Sequence, residues 1–164
     1  MNEKKFIIGL FVITIVLIGG MVALASKTED PANIQMDTAA RAEIINGTHD
    51  WGQIQMDEGN VTTTFQIKNS GSSPLKLFNV TTSCSCTTAF MTLGSTKSPI
   101  FGMHTKSSYV LEVPGGQTAD LTVVFDPAFH GPSGVGPMER QVLVETNDPD
   151  NPMLSLVATG DVIR

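Results

Sequence analysis

Cys84 and Cys86 are the only cysteines in the 164 residues, and they sit one residue apart in the run Thr82-Ser83-Cys84-Ser85-Cys86-Thr87. In an oxidising compartment the first expectation for two cysteines is a disulfide. Spacing argues against a relaxed one, because extended residues two apart place their Cα atoms roughly 6.6–7 Å from each other, at the edge of disulfide reach. A bridge would need a local turn. A glycine between the cysteines would ease that turn, and Ser85 makes it costlier. The closed ring is also very small, so a bond there would add little stability. If the segment stays extended, both side chains leave the same face and two thiolates converge. Soft thiolate ligands suit copper(I) or zinc, and copper(I) accepts two or three ligands, thioether sulfur among them.

The other soft donors lie in two loops. Met91 and the pair Met103-His104 fall in one; His130 and Met138 flank the other, His130-Gly131-Pro132-Ser133-Gly134-Val135-Gly136-Pro137-Met138, whose Gly and Pro content suggests a fixed shape. The metal set expected from these is Cys84, Cys86, Met103, His104 and His130. It requires that the two loops gather with the cysteines at one end of the fold. A lone Met or His is more often packing than ligand, so the other methionines and His49 read as structural. A thiol-exchange role is the weaker alternative, since neither cysteine has a basic neighbour in sequence to favour its thiolate.

The elements that must position this pair begin beyond an apolar segment. Residues 6–25 form 20 consecutive uncharged positions, enough for one membrane-crossing helix. Lys4 and Lys5 precede the segment and Lys27, Glu29 and Asp30 follow it, which keeps the N-terminus in the cytoplasm and exports the rest. Ala23-Leu24-Ala25 has the form of a signal-peptidase site, so the alternative to an anchored, single-pass protein is one secreted after cleavage. The expected layout is an anchor or signal peptide over 1–25, a polar spacer over 26–43 and one domain over 44–164. The domain then lies in the periplasm or at the cell surface.

That domain reads as all-β. No stretch carries apolar residues at helical spacing for a dozen positions; short β-branched and aromatic runs are cut instead by Gly, Pro, Asn and Ser. Val61, Thr63, Phe65 and Ile67 alternate with polar partners in the clearest strand. Further strands are expected at 51–55, from Leu75 through Val80 towards the cysteines, and at 109–113, 119–125, 141–146 and 153–162. Turns fall at Pro114-Gly115-Gly116 and across 147–152. The count, about seven or eight strands, suits an immunoglobulin-like two-sheet sandwich preceded by one N-terminal helix. Trp51, Phe65, Tyr109 and Phe125 are expected between the sheets.

Several motifs occur in order along this domain: His49-Asp50-Trp51-Gly52, Phe65-Gln66-Ile67-Lys68-Asn69-Ser70-Gly71, Pro74-Leu75, Ser83-Cys84-Ser85-Cys86-Thr87, Pro114-Gly115, Phe125-Asp126-Pro127, Thr146-Asn147-Asp148-Pro149 and Gly160-Asp161-Val162. Together they resemble the bacterial exported domain of unknown function 1573 family. That resemblance implies a β-sandwich like the immunoglobulin-like domains of major sperm protein and Hydin type, and a module without catalysis. The chain departs from the family in two ways, with Ser85 where the family has Gly between its cysteines and with an added loop at about 91–108.

Charge and motif content exclude other classes. A formal net charge of -6 disfavours a phosphate-neutralising surface, so no nucleic acid is expected. No Gly-rich loop follows a strand and opens a helix, so no nucleotide is expected either. A nucleophile elbow is lacking, which leaves a non-enzyme. The leading expectation is a membrane-tethered module that binds or scaffolds envelope proteins through its edge strands. Extracytoplasmic copper(I) binding is the alternative.

Overall fold

The structure is a computed structural model that describes Thr14 and residues 34–164. Apart from Thr14, the apolar run 6–25 and the start of the spacer lie outside the described residues. Among the described residues no helix is long and apolar enough to cross a membrane.

Ten strands follow in order: β1 (Ala42–Ile44), β2 (Thr48–Gln55), β3 (Val61–Asn69), β4 (Leu75–Thr82), β5 (Thr87–Leu93), β6 (Thr96–Lys97), β7 (Leu111–Val113), β8 (Thr118–Phe125), β9 (Gly136–Thr146) and β10 (Met153–Ile163). They form two five-stranded sheets, ordered β1-β3-β8-β5-β6 and β2-β10-β9-β4-β7. All the pairings are antiparallel except that of β2 with β10, which is parallel. The two-layer, all-β reading therefore holds, with ten strands among the described residues instead of seven or eight.

Period-two alternation explains the layers. Thr63, Phe65, Ile67 and Asn69 of β3 point inwards, as do Ala119, Leu121, Val123 and Phe125 of β8. From the opposing sheet Leu75, Leu77, Val142, Val144 and Leu156 meet them in an aliphatic core. Burying one such side chain contributes about 1.5–3 kcal/mol, so register is pinned in the strands that carry them. Phe65 and Phe125 are buried as expected, and Trp51 and Tyr109 pack against the core while partly exposed.

The three strands that sequence reading missed are β1, β5 and β6. The stretch 91–108 is not simply an added loop. Met91 lies on β5 with no exposed surface, and Phe101 returns to exchange both backbone hydrogen bonds with Ala89, at 2.9 and 2.7 Å. The inward positions of β5 begin with Thr87 and Ala89, and small or polar residues there hide the strand pattern. The polar stretch before residue 44 also contributes to the fold: Ala40 is fully buried, and the Asp37 amide donates to the Asn147 carbonyl at 2.8 Å.

At the end of the sandwich where β3 and β9 finish, buried polar side chains organise the turns. Asn69 donates from Nδ2 to the carbonyls of Ser73 and Val113, both at 2.8 Å, and its Oδ1 accepts the Gly71 amide at 2.9 Å. Asp148 accepts from the amides of Ala42 and Asp150, both at 2.9 Å, and from Asn151 Nδ2 at 3.0 Å. Gly71 is required there, because a Cβ would stand 2.2 Å from the Ala39 carbonyl oxygen. No buried side-chain N or O among the described residues lacks a partner.

Candidate functional site

At the opposite end, β4 delivers the cysteines. Its last residue, Thr82, places its hydroxyl between the carbonyls of Cys84 and Thr87, at 3.1 and 2.9 Å. Ser83 is stapled to β9: its amide donates to the Gln141 carbonyl and its Oγ accepts the Gln141 amide, each at 2.9 Å. Short hydroxyl side chains compete for backbone partners in this way and end the strand. The chain then turns, with the Thr87 amide donating to the Cys84 carbonyl at 3.1 Å, and crosses into the other sheet as β5.

Cys84 and Cys86 are bonded to each other as a disulfide across this turn, with Cα atoms 5.2 Å apart. The expectation of two same-facing free thiols on an extended strand is corrected here. The turn shortens the Cα distance, and Ser85 is no obstacle: Asn79 is the one non-glycine among the described residues with positive φ, so Ser85 carries no left-handed strain. The Cys86 amide also faces Cys84 Sγ at 3.2 Å.

Basic neighbours absent in sequence are present in space. His130 Nε2 lies 3.5 Å from Cys84 Sγ. The loop that carries it is fixed locally: Asp126 Oδ1 accepts the Ala128 amide at 2.9 Å, Gly131 adopts φ +55°, and the Ser133 hydroxyl donates to the His130 carbonyl at 2.9 Å. Phe129 sets its ring edge-on to the imidazole at 5.0 Å. On the other sulfur, Arg140 Nε donates to Cys86 Sγ at 3.1 Å. Arg140 lies on β9, its guanidinium carbon 5.2 Å above the Phe125 ring, and Phe125 stacks on Trp51 at 5.9 Å. Burial pushes the Arg140 pKa below its ordinary value.

The expected metal set is thus only partly assembled. Donor atoms of Cys84, Cys86 and His130 all lie within 4.8 Å of one another. Met103 reaches the rim, its Sδ accepting the Ser85 hydroxyl at 3.7 Å. His104 is exposed and falls outside that three-residue group. Met91 is core, and Met138 packs beside Cys86 in a second apolar cluster with Ile54, Met56, Phe125 and Val162. Sequence reasoning missed Arg140, although its position carried a signal. Met138, Arg140, Val142 and Val144 share one strand face, so a guanidinium interrupts an inward apolar series.

The arrangement offers a bridge whose two sulfurs differ. Cys86 is buried, at 3% exposure, and faces a guanidinium; Cys84 is half-buried beside an imidazole. A nearby cation favours a thiolate and so eases opening of the bond.

No curated protein matches the chain. Among solved structures, a protein of unknown function from Porphyromonas gingivalis W83 superposes with a TM-score of 0.59 at 20% identity, over 80% of this chain and 50% of its own. This chain therefore spans half the length of that protein, and the likeness is one of fold. The ASH / PapD-like domain 7 of human CEP192 gives a TM-score of 0.49 at 15% identity, covering 80% of this chain and 92% of that one. The YadV chaperone gives 0.47 at 10% identity, covering 75% and 52%. The later motifs, from Pro114-Gly115 onwards, lie beyond the stretch that a family model covers, but the earlier ones, cysteine pair included, lie within it: residues 42–100 match the model of the family described as protein of unknown function (DUF1573).

Proposed function

We propose that this chain is an extracytoplasmic, membrane-tethered immunoglobulin-like module that works through a reducible Cys84–Cys86 disulfide. One observation carries the reading: the Arg140 Nε–H is directed at Cys86 Sγ at 3.1 Å. A cation beside one sulfur favours the thiolate that reduction would leave there. A purely structural staple explains the bond less well, because closing a three-residue ring stabilises by only about 1.6 kcal/mol in the chain-entropy model. The tether rests on the apolar run 6–25 and its flanking lysines.

The test is native reduction. Dithiothreitol added to the folded full-length chain should release two thiols that a chromogenic disulfide reagent counts, without denaturant. A bond that opens only on unfolding sinks the reading.

Copper(I) binding is a second reading, favoured by the three donors within 4.8 Å. After reduction, Cys84, Cys86 and His130 would hold the ion, with Met103 at the rim. Bound copper would supply a soft, thiophilic cation. A reduced chain titrated with copper(I) against a chromogenic chelator should take up one equivalent, His130→Ala should weaken it about tenfold, and C84S/C86S should abolish it. Equal uptake by the double variant excludes the site. Scaffolding through an edge strand has less support: the 8-residue β2 is an open edge, but Gly52 at φ +67° and the register shift against β10 interrupt it.

A further inference from the structure

Resting on the redox reading, we infer that the disulfide opens with a fixed polarity: an incoming thiolate attacks Cys84 Sγ, and Cys86 leaves as the thiolate received by Arg140. The two sulfurs differ in access and in what surrounds them. Thiol exchange needs the nucleophile to reach one sulfur in line with the bond that breaks, so the more exposed sulfur is the electrophile. Cys86 is 3% exposed and packed among Ile54, Met56, Phe125, Met138 and Val162, whereas Cys84 lies at the edge of that cluster.

The leaving side differs in the charge it offers: Cys84 Sγ faces the Cys86 amide at 3.2 Å and His130 Nε2 at 3.5 Å, whereas Cys86 Sγ faces a guanidinium. Exchange is faster when the departing sulfur is the better-stabilised thiolate. Arg140 Nε donates to Cys86 Sγ at 3.1 Å, and the Thr87 hydroxyl lies 3.6 Å from the same sulfur. Among the described residues no carboxylate forms an ion pair with Arg140. Its guanidinium is partly desolvated, which lowers its pKa. A disulfide sulfur is a neutral, weak acceptor, and a thiolate in the same place is the anion that this cation lacks.

The step balances within the pair and its co-reactant, a dithiol of a protein or small molecule. Its first thiolate forms a bond to Cys84 Sγ, the Cys84–Cys86 bond breaks, and the electron pair stays on Cys86. Its second thiol, losing its proton to solvent, then displaces Cys84, which leaves as a thiolate. The dithiol is oxidised to a disulfide and the Cys84–Cys86 pair is reduced by two electrons. Arg140 is thereby a catalytic residue that touches the leaving atom, and Cys84 is the site of the mixed disulfide.

Mapping the first adduct tests this. The folded full-length chain is treated with 2-mercaptoethanol, quenched early with iodoacetamide and digested with trypsin. Fragment ions of the peptide 77–97, which holds both cysteines, should place mercaptoethanol on Cys84 and the alkyl group on Cys86. The reverse placement, or an even mixture, overturns the polarity. Arg140→Gln should slow native reduction by dithiothreitol about tenfold, and Arg140→Lys should recover most of that loss by keeping the charge. A glutamine variant reduced as fast as the native chain also overturns it. Adduct mapping needs no variant, so it stands even if R140Q fails to fold. A bond that no thiol opens in the folded chain defeats the redox reading itself, while one that opens through Cys86 defeats only this assignment.

Discussion

The two ends of the sandwich use polar groups for opposite purposes. Where β3 and β9 finish, Asn69, Asn147 and Asp148 are buried and bonded to backbone: Asn147 Oδ1 takes the Lys76 amide at 2.8 Å, and Asp148 holds three donors. Where β4 finishes and β9 starts, Cys84, Cys86, His130 and Arg140 meet one another instead, and the donors and acceptors are soft or incompletely matched. Arg140 donates to the Glu139 carbonyl at 2.7 Å and to a disulfide sulfur at 3.1 Å, two neutral acceptors that leave its charge without a paired anion. The first end is built to stay as it is; the second has chemistry in reserve. Buried polarity alone therefore does not mark a site in this fold, and the quality of its satisfaction does.

That contrast can be broken by mutation, beginning at the locked end. Asp148→Ala removes the acceptor for three donors and should destabilise by about 3 kcal/mol or more in urea unfolding, while native reduction of the disulfide keeps its rate. If the reduction rate changed as strongly as stability, the two ends would not be independent. The double variant Cys84→Ala, Cys86→Ala should cost only about 1–2 kcal/mol, because the ring is so small. A loss as large as that of Asp148→Ala would recast the cysteines as structural. Arg140→Met should shift stability by about 1 kcal/mol or less, losing its contact over Phe125, yet it should slow reduction markedly; a change in stability alone would move Arg140 to the locked class. The smallest effect belongs to the exposed ion pair of Arg41 with Asp150. Arg41→Ala should change the unfolding free energy by about 0.5 kcal/mol or less, and less still in high salt.

The same contrast governs what could be read in advance. Strands with large apolar inward residues were legible: β3 falls where the alternation of Val61, Phe65 and Ile67 puts it, and β8 and β10 differ from expectation by one residue at an end. Strands with Thr and Ala inwards, such as β5, were not. Within the site, the pairing of both cysteines with His130 depended on two loops meeting. Its chemistry was visible in residue types, but the distance was not. The bridge is costly only on an extended geometry, and Thr82 and Ser83 are the residues that end the strand before it. Arg140 was hidden by a boundary: β9 was expected from residue 141 and begins at Gly136, so the guanidinium fell outside the strand whose inward face it occupies.

The parallel pairing of β2 with β10 has a consequence for how the chain assembles. Thr48 sits beside Val157, and among the described residues β2 has no other strand partner. As the chain emerges from its N-terminal side, β2 must wait until almost all of the domain has followed. Pairings of such sequence separation are slow, since their loop closure comes before any reward in contacts. During that interval β2 is a naked strand edge, the kind of surface that invites mispairing between nascent copies. Docking of β2 is accordingly a late event in folding, and pulse-labelling hydrogen exchange should find its amides protected after those of β3 and β8.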